Sequence, residues 1–163
     1  MPPRSSPSTV PSNPLAARTA AIALLARRDF TCRELREKLI GRGFKEATAA
    51  SVVAELAREL VLDDSRCAQN YVAHHAGRGQ GPLRIAAGLR RRGIAADLID
   101  TALATGPDWS ALACKVRRAK FGRPPSSWAQ RARQARFLQY RGFSSDHIRA
   151  ATGIEPDSDF EQD

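Results

Sequence analysis

The chain contains three copies of one short pattern, in which a leucine is followed after three residues by a glycine and an apolar side chain: Leu39-Ile40-Gly41-Arg42-Gly43-Phe44, Leu89-Arg90-Arg91-Arg92-Gly93-Ile94 and Leu138-Gln139-Tyr140-Arg141-Gly142-Phe143. The glycines of successive copies lie 50 and 49 residues apart, which is the spacing of a supersecondary unit repeated in tandem. Helix-forming residues surround each copy, so the pattern predicts a helical repeat scaffold, with the three leucines at equivalent core positions. Such scaffolds bind large partners along a surface, and we therefore expect a binding protein and not an enzyme.

Helix start and stop signals recur along the chain. Thr31 and Glu34 form a capping-box pattern, and Gly43 supplies the left-handed residue that ends the helix they open. Ser127 and Gln130 repeat the capping-box spacing. Similar signals predict about nine helices in three groups of three, and no segment alternates as a strand does. The predicted fold is all-α.

The composition of the two ends limits the part that can fold. Residues 1–14 contain five prolines among polar residues, and the last nine residues contain five carboxylates. Both segments are too polar to pack, so we expect two disordered tails. The expected organisation is a Pro/Ser-rich tail at 1–14, helical repeats at 15–62, 63–106 and 107–153, and an acidic tail at 154–163.

Positive charge is concentrated in the foldable part. The whole chain carries 26 basic and 17 acidic residues, a net charge of +9, and without the two tails 25 bases face 12 acids, a net charge of +13. Such a field attracts phosphate backbones or acidic protein surfaces. Arginine supplies 22 of the 26 bases; a genome rich in G and C favours arginine codons, but it does not explain the excess of bases over acids.

The basic residues of the second and third repeats fall on helices with almost no acidic residues. Arg84 and Arg91 are seven residues apart and share one helix face. Trp128 and Tyr140 are candidates for stacking on bases. The candidate partner-binding or nucleic-acid-binding residues are Arg84, Arg91, Arg92, Lys115, Arg117, Arg118, Arg131, Arg133 and Arg136.

No motif points to catalysis, a cofactor or a metal ion. The glycine-rich segment 77–81 lacks the G-K-[ST] ending of a phosphate-binding loop and is interpreted as a flexible turn between helices. His74 and His75 are adjacent and point about 100° apart on a helix. Asp63 and Asp64 open a helix and are interpreted as caps.

Cysteine usage and hydropathy indicate a cytoplasmic protein. The three cysteines, Cys32, Cys67 and Cys114, are widely spaced and are expected to be buried thiols in a reducing compartment. No apolar run reaches the ~18 residues that a membrane span needs, and the first residues lack a hydrophobic signal core.

The order and spacing of several motifs resemble the RecX family of bacterial recombination regulators over residues 20–152. The residues that carry the resemblance are Leu62-Asp63-Asp64, Ala68, Tyr71-Val72, Gly81-Pro82-Leu83-Arg84-Ile85, Leu89, Gly93-Ile94, Phe137-Leu138, Arg141-Gly142-Phe143-Ser144 and Ile148. The resemblance implies three tandem three-helix repeats in an elongated, curved array. It also implies a modulator, usually an inhibitor, of the RecA recombinase that binds the groove of the RecA–DNA filament and restrains its growth, ATP hydrolysis, strand exchange and co-protease activity.

The chain departs from the family pattern at two positions. Cys67 stands where an aromatic residue is more common, and Gly88 stands where a polar helix former is usual. A glycine inside a helix weakens it by up to about 1 kcal/mol relative to alanine, so we expect Gly88 to be destabilising.

Two other functions are compatible with a basic helical chain. One is a DNA-binding transcription regulator of the helix-turn-helix type, which needs base-reading side chains at the start of a recognition helix. The helix after Gly93 begins Ile94-Ala95-Ala96-Asp97, and its aspartate would repel phosphate. The other is a helical adaptor for a different acidic protein.

Overall fold

The computed structural model describes residues 13–153, and all regular structure in that range is α-helical. The helices are α1 (Pro14–Leu25), α2 (Cys32–Gly41), α3 (Glu46–Arg58), α4 (Asp64–Gly77), α5 (Pro82–Arg91), α6 (Ala96–Ala104), α7 (Trp109–Phe121), α8 (Trp128–Arg141) and α9 (Ser145–Thr152). The predicted all-α fold with nine helices is therefore confirmed for the described range. The acidic tail predicted at 154–163 and residues 1–12 of the predicted N-terminal tail lie outside it.

The first helix begins earlier than the sequence suggested. Asn13 caps α1 by accepting a hydrogen bond from the Leu15 N–H at 3.0 Å, and Pro14 occupies the first helical position. Proline is well tolerated at the first helical position because a backbone N–H there would have no partner within the helix. Assigning residues 13 and 14 to the tail was therefore wrong: they start the helix.

The repeated leucine–glycine pattern marks the end of the second helix of each group. The three leucines are fully buried, as predicted: Leu39 in α2, Leu89 in α5 and Leu138 in α8. The three glycines have positive φ angles of 95°, 81° and 92° at Gly43, Gly93 and Gly142. In the first and third copies the aromatic residue after the glycine donates its N–H to the carbonyl of the leucine at 3.2 Å. This backbone closure ends the helix and turns the chain over its own buried leucine.

The described chain divides into two compact units by packing. The first comprises residues up to 67 together with 92–94, and the second comprises 68–91 and the residues from 95 onward. The core of the first unit is formed by α1, α2 and α3 around Leu35, Leu39 and Leu56. In the second unit, Leu138 and Phe143 pack against α7 and α9.

A partly buried polar network holds residues 92–94 in the first unit. The Arg92 guanidinium donates two hydrogen bonds of 2.9 Å to the carboxylate of Glu34. The Thr31 hydroxyl donates to the Arg92 carbonyl at 2.7 Å and accepts from the Glu34 N–H at 3.1 Å. Thr31 and Glu34 form the predicted capping box of α2, and the same two residues fix Arg92.

The two adjacent aspartates act as caps at two different helices. Asp63 accepts a hydrogen bond from the Arg66 N–H at 3.1 Å and caps α4, as predicted. Asp64 accepts from the Cys32 N–H at 2.8 Å, so it satisfies an unpaired donor at the start of α2, 32 residues away.

Partial burial and ionic contacts act in opposite directions on the pKa of Glu34. Burial raises the pKa, but hydrogen bonds from Arg92 and Thr31 and the charges of Arg92 and Arg28 outweigh burial, so the pKa lies below its ordinary value. A carboxyl whose pKa is lower in the folded state than in the unfolded state stabilises the fold above its unfolded pKa. That contribution is lost as the pH falls through the folded-state pKa.

We expect Glu34→Gln to remove part of the acid sensitivity of the fold. The stability of the native chain should fall from about pH 5 downward more steeply than that of the variant, because only the native chain must protonate this carboxylate. Urea unfolding followed by circular dichroism over that pH range measures the difference. Glu37→Gln, on an exposed position of α2, is the control. Parallel stability–pH curves for Glu34→Gln and the native chain would contradict the prediction.

The glycine-rich segment 77–81 connects α4 to α5, as predicted, but its last residue, Gly81, makes a close packing contact. The Gly81 N–H donates to the Arg141 carbonyl at 2.8 Å, and the Leu83 N–H donates to the Gly142 carbonyl at 3.0 Å. Gly81 is buried, and a Cβ at this position would overlap the backbone of Gly142. Glycine is needed here because two backbone segments meet without room for a side chain.

We therefore expect Gly81→Ala to lower the free energy of unfolding by about 1–3 kcal/mol, the usual range for overpacking against a backbone that must shift. Gly77→Ala is the matched control, since a Cβ at Gly77 meets no atom within 4 Å and alanine favours a helix. Thermal unfolding of both variants tests the pair. Equal melting temperatures for the two variants would show that the Gly81–Gly142 contact does not constrain the fold.

Gly88, one of the two positions at which the chain departs from the family pattern, also has a packing role. Gly88 is buried in α5, and a Cβ there would overlap the Tyr71 hydroxyl. Tyr71 in turn stacks on His75 with ring centroids 4.0 Å apart. The absence of a side chain at Gly88 thus lets the Tyr71 ring approach the backbone of α5 directly.

Candidate partner-binding surface

Positive charge is unevenly divided between the two units. The described residues of the second unit include 14 Lys or Arg and four Asp or Glu, a net charge of +10. Those of the first unit include 11 and eight, a net charge of +3. The second unit therefore carries most of the field that attracts an anionic partner.

Three helices of the second unit contain bases and no acid. Their sequences are PLRIAAGLRR for α5, WSALACKVRRAKF for α7 and WAQRARQARFLQYR for α8. Solvated helix faces usually mix charges of both signs, because pairs three or four residues apart stabilise the helix. The eleven basic residues of these helices have no carboxylate on their own helix, so they lack the stabilisation of such pairs. This arrangement favours a binding role for the exposed ones.

Contacts between Arg84 and Tyr140 join two of these helices. The Arg84 guanidinium donates to the Tyr140 carbonyl at 3.2 Å, and its carbon lies 5.4 Å from the centre of the Tyr140 ring. The tyrosine side chain is nevertheless 78% exposed. An exposed ring with a guanidinium over it presents both an aromatic face and a positive charge to a partner.

Exposed basic residues extend from this contact along both helices. Arg84 and Arg91 are exposed on one face of α5. Arg133 and Arg136 are exposed on α8 at helical spacing from Tyr140, so these three residues share a face. We call Arg84, Arg91, Arg133, Arg136 and Tyr140 the basic strip. Two further predicted residues, Lys115 and Arg118, are exposed three residues apart on α7.

Three of the predicted surface residues are less exposed than the other six. Arg92 is bound to Glu34 in the first unit. Arg117 is only 6% exposed, and its guanidinium donates to the Arg123 carbonyl at 2.9 Å. Arg131 is half-buried, and its Nε is buried without a hydrogen-bond partner among the described residues. Placing Arg117 on the partner-facing surface was therefore wrong, whereas Arg92 and Arg131 are partly exposed and their role in binding stays a prediction.

The error at Arg117 has a simple geometric cause. The prediction grouped bases by helix, whereas exposure depends on the helix face. Arg117 lies four residues after the fully buried Ala113 and therefore points to the same inner side of α7. That spacing was readable in the sequence. The Arg84–Tyr140 contact was not, because its members are 56 residues apart.

Aromatic residues near the strip differ in exposure. Trp128, at the start of α8, is 82% exposed and stays available for stacking, whereas Phe137 packs against the core. The capping pattern at the start of α8 is only half formed. Ser127 accepts from the Gln130 N–H, but the Gln130 side chain accepts from Ser126 at 3.0 Å and not from Ser127.

The three cysteines are free thiols. Cys67 is buried, as expected, while Cys32 and Cys114 are half-buried. Burial, followed by the charge of Asp64 and its hydrogen bond, raises the pKa of Cys32 to about 11, and burial also raises that of Cys67. A nucleophilic cysteine requires a lowered pKa, so neither environment favours thiol chemistry.

Residues 13–153 contain neither a metal-ligand cluster nor a membrane-spanning helix. No group of three or more His, Cys, Asp or Glu side chains in this range is arranged to hold a metal ion. None of the helices described there is long and apolar enough to cross a membrane.

The fold and the surface together define a basic, all-helical protein built from groups of three helices. Family models match the chain in the order of its repeats: the first three-helix domain of RecX at residues 17–56, the second at 63–103 and the third at 108–152. The chain belongs to the RecX family.

Individual relatives agree with this assignment. The chain is 44% identical over 146 residues to "Regulatory protein RecX" of Halorhodospira halophila, covering 88% of this chain and 91% of the relative. It is 42% identical over 138 residues to the protein of the same name from Ectopseudomonas mendocina, covering 83% and 92%. The crystal structure of RecX from Lactobacillus salivarius has the same fold, with a TM-score of 0.77 at 20% identity over 85% of this chain and 93% of that one.

Proposed function

We propose that this protein is a non-catalytic modulator of the RecA recombinase that acts as an inhibitor. It binds the RecA–DNA filament and restrains its ATP hydrolysis, strand exchange and co-protease functions. The observation that carries the proposal is the basic strip on acid-free helices of a RecX-family chain. Its partners are the RecA filament and DNA, contacted directly or through the filament, and it needs no cofactor.

The physical argument rests on charge and exposure. A filament assembled on DNA offers phosphates and acidic protein surface together, and both are attracted by a unit with a net charge of +10. Exposed arginines match phosphates and carboxylates through their planar fork of donors. The strip supplies four arginines and one exposed ring on two helices whose inner faces are fixed by Ile85, Leu89 and Leu138.

The single-stranded-DNA-dependent ATPase of RecA tests the proposal. Adding the full chain to preformed filaments should lower the steady-state ATPase rate in a dose-dependent way, and strand exchange should fall in parallel. A RecA ATPase that is unchanged at a saturating concentration of the folded protein would contradict the proposal. Order-of-addition experiments then separate blocked filament growth from filament disassembly.

The helix-turn-helix alternative has weaker support from the described residues. The helix after Gly93, α6, has Asp97 in its first turn and no side-chain cap. The helix after Gly142, α9, has a single base, Arg149, which is paired with Asp146. Neither helix has Asn, Gln or Arg in its first turn.

We expect any binding to naked DNA to be electrostatic and insensitive to base sequence. Affinity should fall steeply and linearly with the logarithm of salt concentration, because phosphate contacts release counterions. Fluorescence anisotropy with several duplexes of unrelated sequence at two salt concentrations measures this. A footprint on one defined duplex that persists at high salt would support the transcription-regulator alternative.

A further inference from the structure

An apolar groove lies in the second unit, between α4, the end of α6 and the start of α7. It has a volume of about 590 Å³, which is within the size range of ligand pockets. Its base is formed by the buried side chains of Val72, Ala76 and Ala102, and it opens to solvent beside the exposed residues Ala73 and Pro107. An apolar side chain from outside can therefore enter the groove and be removed from water.

The exposed side of α7 next to the groove carries positive charge. Leu112 lines the groove, and Lys115 and Arg118 follow it at spacings of three residues and are exposed. The sequence of α7, WSALACKVRRAKF, contains no carboxylate that could pair with them. An occupant that matches both features combines a large apolar side chain with neighbouring carboxylates. A nucleic-acid backbone matches only the charge.

The end of α9 lies on the other side of α7. The Cys114 Sγ is 3.7 Å from the Ala150 carbonyl oxygen. Cys114 and Leu112 are two residues apart and therefore point about 200° apart around α7. Lys115 and Arg118 lie on the exposed arc between these two directions. The chain that continues after α9 thus has the basic side of α7 between itself and the groove.

The residues that follow α9 have the composition that the groove and its basic border require. Residues 155–163 contain five carboxylates and a single aromatic residue, Phe160. Phe160 comes seven residues after Gly153, so an extended chain between them spans at most about 25 Å. Half the circumference of a helix with its side chains is about 15–20 Å. The segment is therefore long enough to cross the exposed side of α7 and reach the groove.

We propose that this groove is the docking site of the chain's own C-terminal segment, with Phe160 in the groove and the neighbouring carboxylates against Lys115 and Arg118. A segment joined this closely to its site has an effective concentration in roughly the millimolar range, so contacts that are individually weak are sufficient. The proposal goes beyond the proposed function, because it concerns a contact within this chain. Docking covers two of the candidate partner-binding residues, but its test does not require RecA.

Photo-crosslinking of the full chain tests the contact directly. Phe160 is replaced by p-benzoylphenylalanine, whose ring forms a bond to nearby C–H groups on irradiation, and the products are digested with trypsin and analysed by mass spectrometry. All residues that line the groove fall in two tryptic peptides, 67–78 and 93–115. We expect most crosslinks to join residue 160 to these two peptides of the same chain. Crosslinks spread over the other helices, or a crosslinked dimer as the main product, would overturn the proposal.

A substitution in the groove with a matched control tests whether the groove is what holds the segment. Ala73→Glu places a carboxylate where it repels the acidic segment and would be desolvated by the ring, so the yield of crosslinks to the two peptides should fall about tenfold. Ala87→Glu makes the same change at an exposed position of α5, outside the groove, and should leave the yield unchanged. Circular dichroism checks that both variants fold. Equal yields from the two variants would overturn the docking site.

A second pair of variants tests the basic border. Lys115→Gln with Arg118→Gln removes two exposed attractions and should lower the same yield by about two- to tenfold. Arg27→Gln with Arg42→Gln removes two exposed charges from the first unit and should change it much less. Equal yields from these two double variants would overturn the assignment of the carboxylates to α7.

Discussion

Replacing Leu89 with alanine is expected to lower the free energy of unfolding by about 2–5 kcal/mol, the range observed when a buried leucine is truncated and leaves a cavity. Leu89 is fully buried in α5, four residues before Gly93, the positive-φ glycine of its repeat. Because small domains are stabilised by only about 5–15 kcal/mol in total, the variant should show a clearly lower midpoint in urea unfolding followed by helical circular dichroism.

The control is Leu83→Ala in the same helix. Leu83 is 59% exposed, so its truncation should change stability by no more than about 0.5 kcal/mol. The same residue type is removed from the same helix, and only the burial differs. Equal destabilisation by the two substitutions would mean that the repeat leucines are not the packing points of this fold.

Reversing two charges of the basic strip is expected to have the largest effect on function. Arg84→Glu with Arg91→Glu removes two attractions and introduces two repulsions, while Ile85 and Leu89 stay buried on the opposite face of α5. Each exposed contact contributes about 1 kcal/mol, so the double reversal should weaken binding to the RecA filament by roughly tens of fold. The concentration needed to halve the RecA ATPase should rise accordingly, with an unchanged helical circular dichroism spectrum.

A control with the same change in net charge separates local from general electrostatics. Arg27→Glu with Arg42→Glu alters two exposed positions of the first unit, and it should reduce inhibition much less. If both double variants lose inhibition equally, the effect follows total charge. If the strip variant still inhibits at the native concentration, the basic strip is not the interface.

The helices of this fold could be predicted from the sequence because the signals that begin and end a helix act over a few residues. The capping box at Thr31, the aspartate cap at Asp63 and the glycines of the three repeats each satisfy or end backbone hydrogen bonding within one turn. Apolar spacing of three and four residues then identifies the inner face of each helix. The spacing that buries Arg117 belongs to this class of signal as well.

Contacts between distant residues could not be read in the same way. Gly81 looked like part of a flexible turn, but its role depends on the Gly142 backbone, 61 positions later. Gly88 looked destabilising, but its role depends on the hydroxyl of Tyr71. In both cases the partner belongs to a distant part of the chain, and local spacing in the sequence gives no indication of which helices meet.

The sequence by itself determined the helices, their ends, the three-fold repeat and the surplus of positive charge, because propensity, capping and composition are local or additive properties. Only the tertiary structure decided how that charge is used. It placed Arg92 against Glu34, buried Arg117 beneath the loop at Arg123, and brought Arg84 to Tyr140 on the surface. The physical reason is that an arginine's role depends on which groups from other helices surround it, and those neighbours are defined only when the helices pack.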